Sequence, residues 1–401
     1  MRVAIVAESF LPRINGVTNS VCRVLEHLEA AGHEALLVAP GLGPATYAGA
    51  PILRTPAVQV PFVPGFHVGV PSRRLDHVLR AWAPDVVHLA SPFVLGAAGA
   101  AAACRVGIPY LAVFQTDIAG FARRYGLGSA EPAIWAWLRR LHDPAALTLV
   151  PSAASRAQLV GQGFTNLARW GRGVDADRFS PRHRDPALRA SLAPRGEVLV
   201  GYVGRLAPEK QVHLLEHVSD LPGTRLVVVG DGPSRRLLER RLPHAAFLGL
   251  RIGAELWAAL ASLDVFVHPG VDETFCQSVQ EAQAAGVAVV AAAAGGPLDL
   301  VDHSRTGLLH TPGDPAAMRA AVARFAADAR LRAACSAAAR RGVLGRSWET
   351  VCGELVEHYT QAVRLGRVRD GRDGRAATAT VTALATATAT ATAATAATAA
   401  T

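Results

Sequence analysis

Residues 264–291 read DVFVHPGVDETFCQSVQEAQAAGVAVVA, in which an apolar run, a polar loop, a helix-like segment and a second apolar run follow one another. Neither apolar run alternates strictly with polar residues. Continuous runs of this kind are typical of parallel strands that helices cover on both faces. The stretch therefore predicts a strand–helix–strand unit of an α/β fold.

The same pattern recurs along both halves of the chain. The repetition predicts an α/β protein with two doubly wound, Rossmann-like parallel sheets facing one another across a cleft. The predicted strands are Arg2–Ala7, Ala35–Ala39, Asp85–Leu89, Pro109–Phe114 and Leu147–Val150 in the first half, and Val198–Val203, Arg225–Val229, Asp264–His268 and Val287–Ala291 in the second.

The length supports two domains, because 401 residues exceed the size at which one hydrophobic core keeps growing. Residues 175–196 are rich in Pro, Arg and Ala and have no strand pattern. We expect them to link an N-terminal domain over 1–174 to a C-terminal domain over 197–345. Residues 346–366 have the pattern of an amphipathic helix, and residues 367–401 end in an Ala/Thr tract that predicts disorder.

The chain is basic, with a formal net charge of +9. This balance favours anionic partners such as nucleotide phosphates, acidic lipid headgroups or nucleic acid. Nucleic acid is disfavoured, because the sequence lacks aromatic stacking motifs and its cations do not concentrate on one predicted element.

The five cysteines include no CxxC pair, and none has histidines at the spacing of a zinc site. The N-terminal apolar run meets an acid at Glu8, too early for a signal-peptide core. The most apolar internal stretch, 284–298, is shorter than the roughly 20 residues of a membrane span. These features predict a cytoplasmic protein without zinc or a transmembrane segment.

Lys210 is the single lysine among 41 Lys and Arg residues, and it follows the strand-like run of EVLVGYVGRLAPEK together with Arg205. An ammonium is a compact, rotatable charge that suits phosphate oxygens, whereas guanidinium is a planar fork. The alternative is a lysine left by chance. Ligands of open parallel sheets bind beyond the carboxyl ends of the strands, so this position favours anion binding.

Glu273 and Glu281, separated by seven residues, follow the predicted strand over 264–268. An isolated pair of acids is ordinarily solvated or capping. If the helix starts near Thr274, Glu281 lies roughly 12 Å further along, a spacing that suits two ends of one extended ligand. Free donors at that helix N-terminus would seat phosphate oxygens. They are the backbone amides of Phe275, Cys276 and Gln277, and Ser278 completes this candidate binding set.

The second half resembles the C-terminal domain of retaining glycosyltransferases of the GT-B architecture, glycosyltransferase family 4. The resemblance rests on GYVGRLAPEK, LVVVGDGP, DVFVHPG, the two spaced glutamates and AAAAGGPLDLV, in that order. In the first half it continues through ESFLPRINGVTNSVCRVLEHLEAAGHE, FQTDIAGFARRYG, LTLVPS and WGRGVDADRFSP, and it covers nearly everything from residue 1 to about 365. The strings look most like bacterial GDP-mannose-dependent α-mannosyltransferases that act on lipid or glycolipid acceptors.

The resemblance implies a retaining transfer of mannose from GDP-mannose, with no metal ion and no covalent carboxylate. Arg205 and Lys210 would neutralise the diphosphate leaving group. Glu273 would orient the donor-sugar hydroxyls, and Glu281 would accept hydrogen bonds from the ribose.

Two further donor contacts follow from the resemblance. The Gly16 amide, at the turn that opens a helix, would approach the phosphates from the first domain. Arg251 belongs to the 250–253 loop, which is expected near the nucleotide base. In this architecture the helix over 346–366 would cross back to the first domain.

On the acceptor side the sequence departs from the family. Gln115 stands where many relatives carry a histidine, and an amide cannot act as a base but can bind a sugar hydroxyl. Asp117 is the nearby side chain able to accept a proton, with helix N-capping as the alternative. Tyr125 and Arg172 complete the acceptor-side set. Asp299 replaces the usual glutamate and is left out of the catalytic set.

Residues 56–74 are apolar and aromatic, are broken by four prolines and end in Arg73 and Arg74. We expect no regular structure in this stretch. We also expect it to contact an anionic membrane surface at the inner face of the cell membrane. The alternative is an ordinary packed loop. The DAD at 175–177 imitates a metal motif but lies in a predicted turn. His88 ends a buried strand and is interpreted as a structural histidine.

Two other functions remain open. One is an enzyme of the same architecture that transfers a sugar from a UDP-sugar donor, because base and sugar selectivity depend on loops without a sequence signature. The other is a catalytically silent nucleotide-sugar binder, which the glutamine at position 115 makes conceivable.

Overall fold

The computed structural model describes residues 1–59, 67–71 and 74–369. Their strands are β1 Arg2–Val6, β2 Glu34–Pro40, β3 Thr46–Tyr47, β4 Ala50–Thr55, β5 Ala57–Gln59, β6 His67–Gly69, β7 Val86–Leu89, β8 Tyr110–Val113, β9 Leu147–Val150, β10 Leu167–Arg169, β11 Val198–Val203, β12 Thr224–Val229, β13 Ala246–Gly249, β14 Val265–His268, β15 Ala288–Ala292 and β16 Leu308–His310.

The helices lie on both faces of the sheets. They are α1 Gly16–Ala30, α2 Arg74–Trp82, α3 Val94–Val106, α4 Ile118–Arg124, α5 Glu131–His142, α6 Ala153–Gly161, α7 Pro186–Leu192, α8 Arg235–Arg241, α9 Gly253–Ala261, α10 Gln277–Ala284, α11 Pro297–Leu300, α12 Pro315–Ala327, α13 Ala329–Val343 and α14 Trp348–Arg369.

The first sheet has the strand order β10-β9-β8-β7-β1-β2-β4-β3 and is parallel except for β3 at its edge. In β1, Val3 pairs with Ala35 on one side and Val86 on the other. Residues 3–6 are fully buried, which explains why this strand has no alternating pattern. Strand β2 lies on one side of β1 and β7 on the other, so the strand order reverses between β1 and β7.

The second sheet has the order β13-β12-β11-β14-β15-β16, with the recorded pairs parallel. The order reverses between β11 and β14, so the crevice beyond their carboxyl ends is a topological switch point, the usual ligand position of such sheets. The α/β fold with two parallel sheets is therefore confirmed.

The nine predicted strands are present, and each end lies within one residue of the predicted position. The apolar-run criterion missed β3, β4, β10, β13 and β16 of the two sheets. Of these, β3, β10 and β13 are edge strands without a fully buried side chain, and such strands need fewer apolar residues. The expectation of no regular structure over 56–74 is wrong at its ends, where β5 and β6 pair and α2 begins. Residues 60–66 and 72–73, and with them most of the predicted membrane contact, lie outside the described residues.

The last helix, α14, packs against the first sheet. The indole Nε1 of Trp170 donates to the Val351 carbonyl at 2.9 Å, and the Tyr359 hydroxyl lies 2.6 Å from His88 Nδ1. His88 is buried, and burial followed by the charge of Arg172 lowers its pKa to about 3, so the ring is neutral. The interpretation of His88 as a structural histidine is confirmed.

The predicted limits of the domains stay predictions, as does the disorder of the tail, whose residues from 370 onward lie outside the described part. Within the described ranges, no helix combines the length and apolar character that crossing a membrane requires.

Candidate active site

A charged cluster occupies the switch point of the second sheet. Lys210 lies in a 3₁₀ turn over Pro208–Lys210 after β11, and Glu273 lies in the loop after β14. The Lys210 Nζ donates to Glu273 Oε1 at 2.6 Å, and His268 Nε2 lies 3.0 Å from the same oxygen. One carboxylate oxygen is therefore held by two cationic groups from adjacent strand ends.

The charges of this cluster support one another. Burial would raise the pKa of Glu273, but Lys210 and His268 outweigh it and hold that pKa well below its usual range. Burial likewise opposes the charge of Lys210, whose pKa Glu273 nevertheless raises. The pKa of His268 is raised to about 10, because Cys276 and Glu273 outweigh the effect of burial. The ammonium, imidazolium and carboxylate are all charged at neutral pH.

The sequence interpretation missed His268. Its ring is nearly parallel to the rings of Tyr202 and Phe266, whose centroids lie 6.2 and 6.4 Å away. Its Nδ1 is buried without a hydrogen-bond partner among the described residues. The available signal was a titratable residue at the last position of an otherwise apolar central strand, next to the switch point.

The helix after Glu273 begins later than predicted. We expected a start near Thr274, but α10 begins at Gln277 because Cys276 has a left-handed backbone with φ of 73°. In the described part of the chain, the amides of Phe275, Cys276 and Gln277 donate no recorded hydrogen bond. Cys276 Sγ lies 3.7 Å from Ser278 Oγ. The predicted donors are present, although two of them precede the helix.

A glycine turn supports this loop from behind. The Gly296 amide donates to the Glu273 carbonyl at 2.7 Å. A side chain at Gly296 would collide with the Phe275 backbone, so only glycine permits this approach.

Glu281 lies in the middle of α10 and is half-buried. Burial raises the pKa of its carboxyl to about 8. Within the ranges the structure describes, the Glu281 carboxyl has no recorded hydrogen bond or ion pair. An acid without a protein partner in such a place suits a ligand with vicinal hydroxyls.

Arg205 and Tyr125 meet at one carboxylate. Glu209 accepts from Arg205 NH1 at 3.2 Å through Oε1 and from the Tyr125 hydroxyl at 3.1 Å through Oε2. The Arg205 side chain is 49% exposed, which leaves most of its donors to a ligand. Tyr125 comes from the first half of the chain, so this contact bridges the cleft.

Two further donor-binding candidates are Arg251, in the loop before α9, and Gly16, at the start of α1. Arg251 pairs with Glu255 at 2.8 Å, and it is flanked by Leu250 and Ile252, whose side chains are 70% and 58% exposed. Exposed apolar side chains of this kind offer a surface to a nucleotide base. Gly16 is the first residue of α1, and a Cβ there would meet nothing within 4 Å.

Gln115 and Arg172 bind one another. The Arg172 NH2 donates to Gln115 Oε1 at 2.5 Å, and Gln115 Nε2 donates to the Ala90 carbonyl at 2.5 Å. Arg172 is buried, lies over the Trp170 ring at 4.5 Å, and has its pKa lowered to about 10 by burial. Both the oxygen and the nitrogen of the Gln115 amide thus bind protein groups, and Arg172 is 6% exposed. Both residues therefore have few polar atoms left to bind an acceptor substrate.

Asp117 caps a helix. Its Oδ1 accepts from the Gly120 amide at 2.9 Å at the start of α4, and Oδ2 accepts from Gln158 at 3.3 Å. The capping alternative is therefore realised. Asp117 also lines a cavity of about 220 Å³ together with Glu273 and Thr274 from the second half. A helix cap and a face on the cleft are compatible for one carboxylate.

Among the described residues, His268, Glu273 and Cys276 form a group whose ligand atoms lie within 4.8 Å of one another. Two hydrogen-bond donors already occupy Glu273 Oε1, and one of them is an ammonium, which repels a metal cation. In the DAD segment, Asp175 pairs with Arg178 at 3.0 Å and Asp177 with Arg182 at 3.5 Å. Metal independence stays a prediction.

Two family models match the chain in succession. Glycosyltransferase Family 4 matches residues 14–178, and Glycosyl transferases group 1 matches residues 184–342. The GDP-mannose-dependent alpha-mannosyltransferase of Mycolicibacterium smegmatis is 51% identical over 92% of this chain and 98% of its own length. The chain belongs to glycosyltransferase family 4. The protein of the same name from Corynebacterium glutamicum is 46% identical to this family 4 chain over 92% of it and 90% of its own length.

Solved structures of the same fold include Anabaena HepE in complex with UDP and glucose. It aligns with this family 4 glycosyltransferase with a TM-score of 0.71 and 19% identity, over 90% of this chain and 99% of that one. The likeness confirms the predicted GT-B architecture.

Proposed function

We propose that this protein transfers mannose from GDP-mannose to a lipid or glycolipid acceptor with retention of configuration. The observation that carries the proposal is the cluster of Lys210, Glu273 and His268 beside unengaged backbone amides at the switch point of the second sheet. The support for GDP-mannose comes from relatives about half identical to this chain over nearly their whole length.

The diphosphate of the donor fits the cationic part of the cluster. Without donor, the Lys210 ammonium is paired with Glu273, which keeps it in place and charged. Diphosphate oxygens offer the ammonium a more highly charged partner, and the amides before α10 add donors at a positive helix end. Negative charge grows on the leaving oxygen as the sugar departs, and these fixed groups stabilise it.

Glu273 then becomes available to the sugar. Its second cation, His268, is buried behind it and keeps the carboxylate ionised and oriented when Lys210 turns to phosphate. An ionised carboxylate accepts strong hydrogen bonds from sugar hydroxyls. Leaving group and acceptor then share one face of the sugar, which gives retention without a covalent carboxylate.

The first domain supplies the acceptor side. Asp117 faces the same cavity as Glu273 and can receive the proton of the acceptor hydroxyl, whereas Asp272, which also lines the cavity, is paired with Arg124 at 2.6 Å. The net charge of +9 favours approach to an anionic membrane surface, where a lipid acceptor resides. Peripheral attachment to the cytoplasmic face of the membrane and independence from metal ions belong to this proposal.

The test is incubation of the purified full-length chain with GDP-mannose, UDP-glucose or UDP-galactose and membrane lipids, in buffer with EDTA. We expect release of GDP and formation of a mannolipid. Turnover with a UDP-sugar alone would favour the alternative UDP-dependent enzyme. Donor binding without any turnover would identify a silent binder, and activity that EDTA abolishes would refute metal independence.

A further inference from the structure

Asp299, in α11, makes its contacts across the cleft. Its Oδ2 accepts from the Ala153 amide at 2.7 Å and from Arg169 NH2 at 2.6 Å, both on the first-sheet side. The Asp299 side chain is 10% exposed, whereas that of Arg169 is 58% exposed. The carboxylate is thus committed to the opposite domain and is not directed to the donor.

The contact uses an otherwise unpaired helix amide. Ala153 is the first residue of α6, and the N-cap Ser152 accepts from the Ser155 amide instead. Early amides of a helix have no intrahelical acceptor, and the helix dipole favours a carboxylate at this end. Asp299 therefore acts as an additional N-terminal cap that comes from the other domain.

The segment that carries Asp299 is tied to the loop that carries Glu273. α11 follows the glycine turn whose Gly296 amide donates to the Glu273 carbonyl. On the same interface, Ser155 Oγ donates to the Thr274 carbonyl at 3.1 Å, and Thr274 Oγ1 donates to the Gln115 carbonyl at 3.1 Å. A change at Asp299 is transmitted over a few bonds to the backbone of Glu273.

We propose that Asp299 is a positioning residue for the transfer reaction: by capping α6 it fixes the Glu273 loop against the acceptor-side domain. This inference rests on the proposed function for its kinetic consequence. In physical terms, the contact between the two domains helps to exclude water from the donor when the cleft is closed. GDP binding by the second domain does not require it.

Three variants isolate the contact. Asp299→Ala removes the acceptor. Ala153→Pro removes the donor, and proline suits the first helical position after Ser152, whose φ of −142° and ψ of 162° are extended. Asp302→Ala is the matched control, because this acid pairs with Arg305 inside the second domain and does not cross the cleft.

Loss of a charge-assisted bond predicts that Asp299→Ala and Ala153→Pro each lower kcat for mannosyl transfer about tenfold. The fraction of donor lost to hydrolysis should rise, and GDP affinity measured by calorimetry should stay within about twofold. The double variant should be no worse than the poorer single variant, because both changes remove the same bond between the Ala153 amide and Asp299. Asp302→Ala should match the wild type.

Hydrogen exchange of residues 153–161 provides a readout that needs no turnover, and it should be faster in Asp299→Ala. Unchanged exchange together with unchanged kcat would overturn the inference, and so would a loss of GDP binding, which would make Asp299 a donor ligand. A wild-type protein inactive with every donor would instead refute the proposed function and leave the exchange test valid.

Discussion

Lys210 and Glu273 lie 63 residues apart in sequence, yet Nζ is 2.6 Å from Oε1. The pair forms because each follows one of two adjacent strands, β11 and β14, at the point where the strand order reverses. The reactive part of the cleft is therefore assembled by topology and not by local sequence.

Replacing Lys210 with alanine should lower kcat/KM for the donor about 100-fold, because one preorganised cation at the diphosphate is lost. Lys210→Arg should recover only part of this, since a planar guanidinium cannot follow the ammonium geometry. Steady-state kinetics measure both. Arg305→Ala removes an exposed cation elsewhere and should be neutral. Equal rates for Lys210→Ala and the wild type would remove Lys210 from the reaction.

His268 should act through Glu273. His268→Phe keeps an aromatic ring near Tyr202 and Phe266 but removes the donor to Glu273, so kcat should fall about tenfold while GDP affinity is retained. His268→Gln, which can donate, should restore part of kcat. If both variants lose activity only in proportion to lost folded protein, the histidine is merely a core residue.

Glu281 should make stability depend on pH. Its pKa is raised from 4.5 to about 8, so the neutral form is favoured in the folded state. Its contribution is complete below pH 4.5 and is lost as the pH rises through about 8. Glu281→Gln should therefore raise Tm by about 2 to 4 °C at pH 8.5 and leave it unchanged near pH 4.5.

At a pH above about 8, where the Glu281 carboxyl is ionised, the same Glu281→Gln variant should bind GDP less tightly, because a neutral amide is a weaker acceptor of ribose hydroxyls than a carboxylate. Calorimetry with GDP and with free diphosphate separates the effects, since only GDP carries the ribose. An equal loss for both ligands would contradict a ribose contact.

Asp117 can be tested for its two roles separately. Asn caps helices about as well as Asp, so Asp117→Asn should keep Tm, whereas Asp117→Ala should lose about 1 kcal/mol of stability. Asn cannot accept a proton, so kcat of Asp117→Asn should fall at least about 100-fold if Asp117 is the base. Wild-type kcat in Asp117→Asn would assign it the cap alone.

The bond between Tyr359 and His88 should contribute to stability. Tyr359→Phe leaves a buried imidazole nitrogen without its partner at 2.6 Å, at a cost of about 1 to 3 kcal/mol. Tyr125→Phe is the comparison, because its hydroxyl partner Glu209 lies at the cleft and can be solvated. Thermal unfolding should show a clear drop for the first variant and a small one for the second.

Most of the fold could be predicted, because buried parallel strands consist of continuous runs of apolar residues that are visible in the sequence. The positions of Lys210 and Glu273 at strand ends were predictable for the same reason. Their ion pair was not, since the order of strands in a sheet is not encoded in any single strand.

The start of α10 was misplaced because the left-handed backbone at Cys276 has no sequence signal when the residue is not glycine. The placement of Gln115 and Arg172 on the acceptor side stays a prediction, and no sequence pattern indicates that these two side chains bind each other. The partner of Asp299 lies 146 residues away in the other domain, beyond the reach of any spacing argument.

The helix α14 has a consequence for biosynthesis. The core of the first sheet includes Val351, Cys352, Leu355, Tyr359 and Ala362. The N-terminal unit is thus discontinuous in sequence, and its core stays incomplete until α14 has been translated. A chaperone that binds the nascent first half would therefore have to shield the apolar surface of that half until α14 emerges.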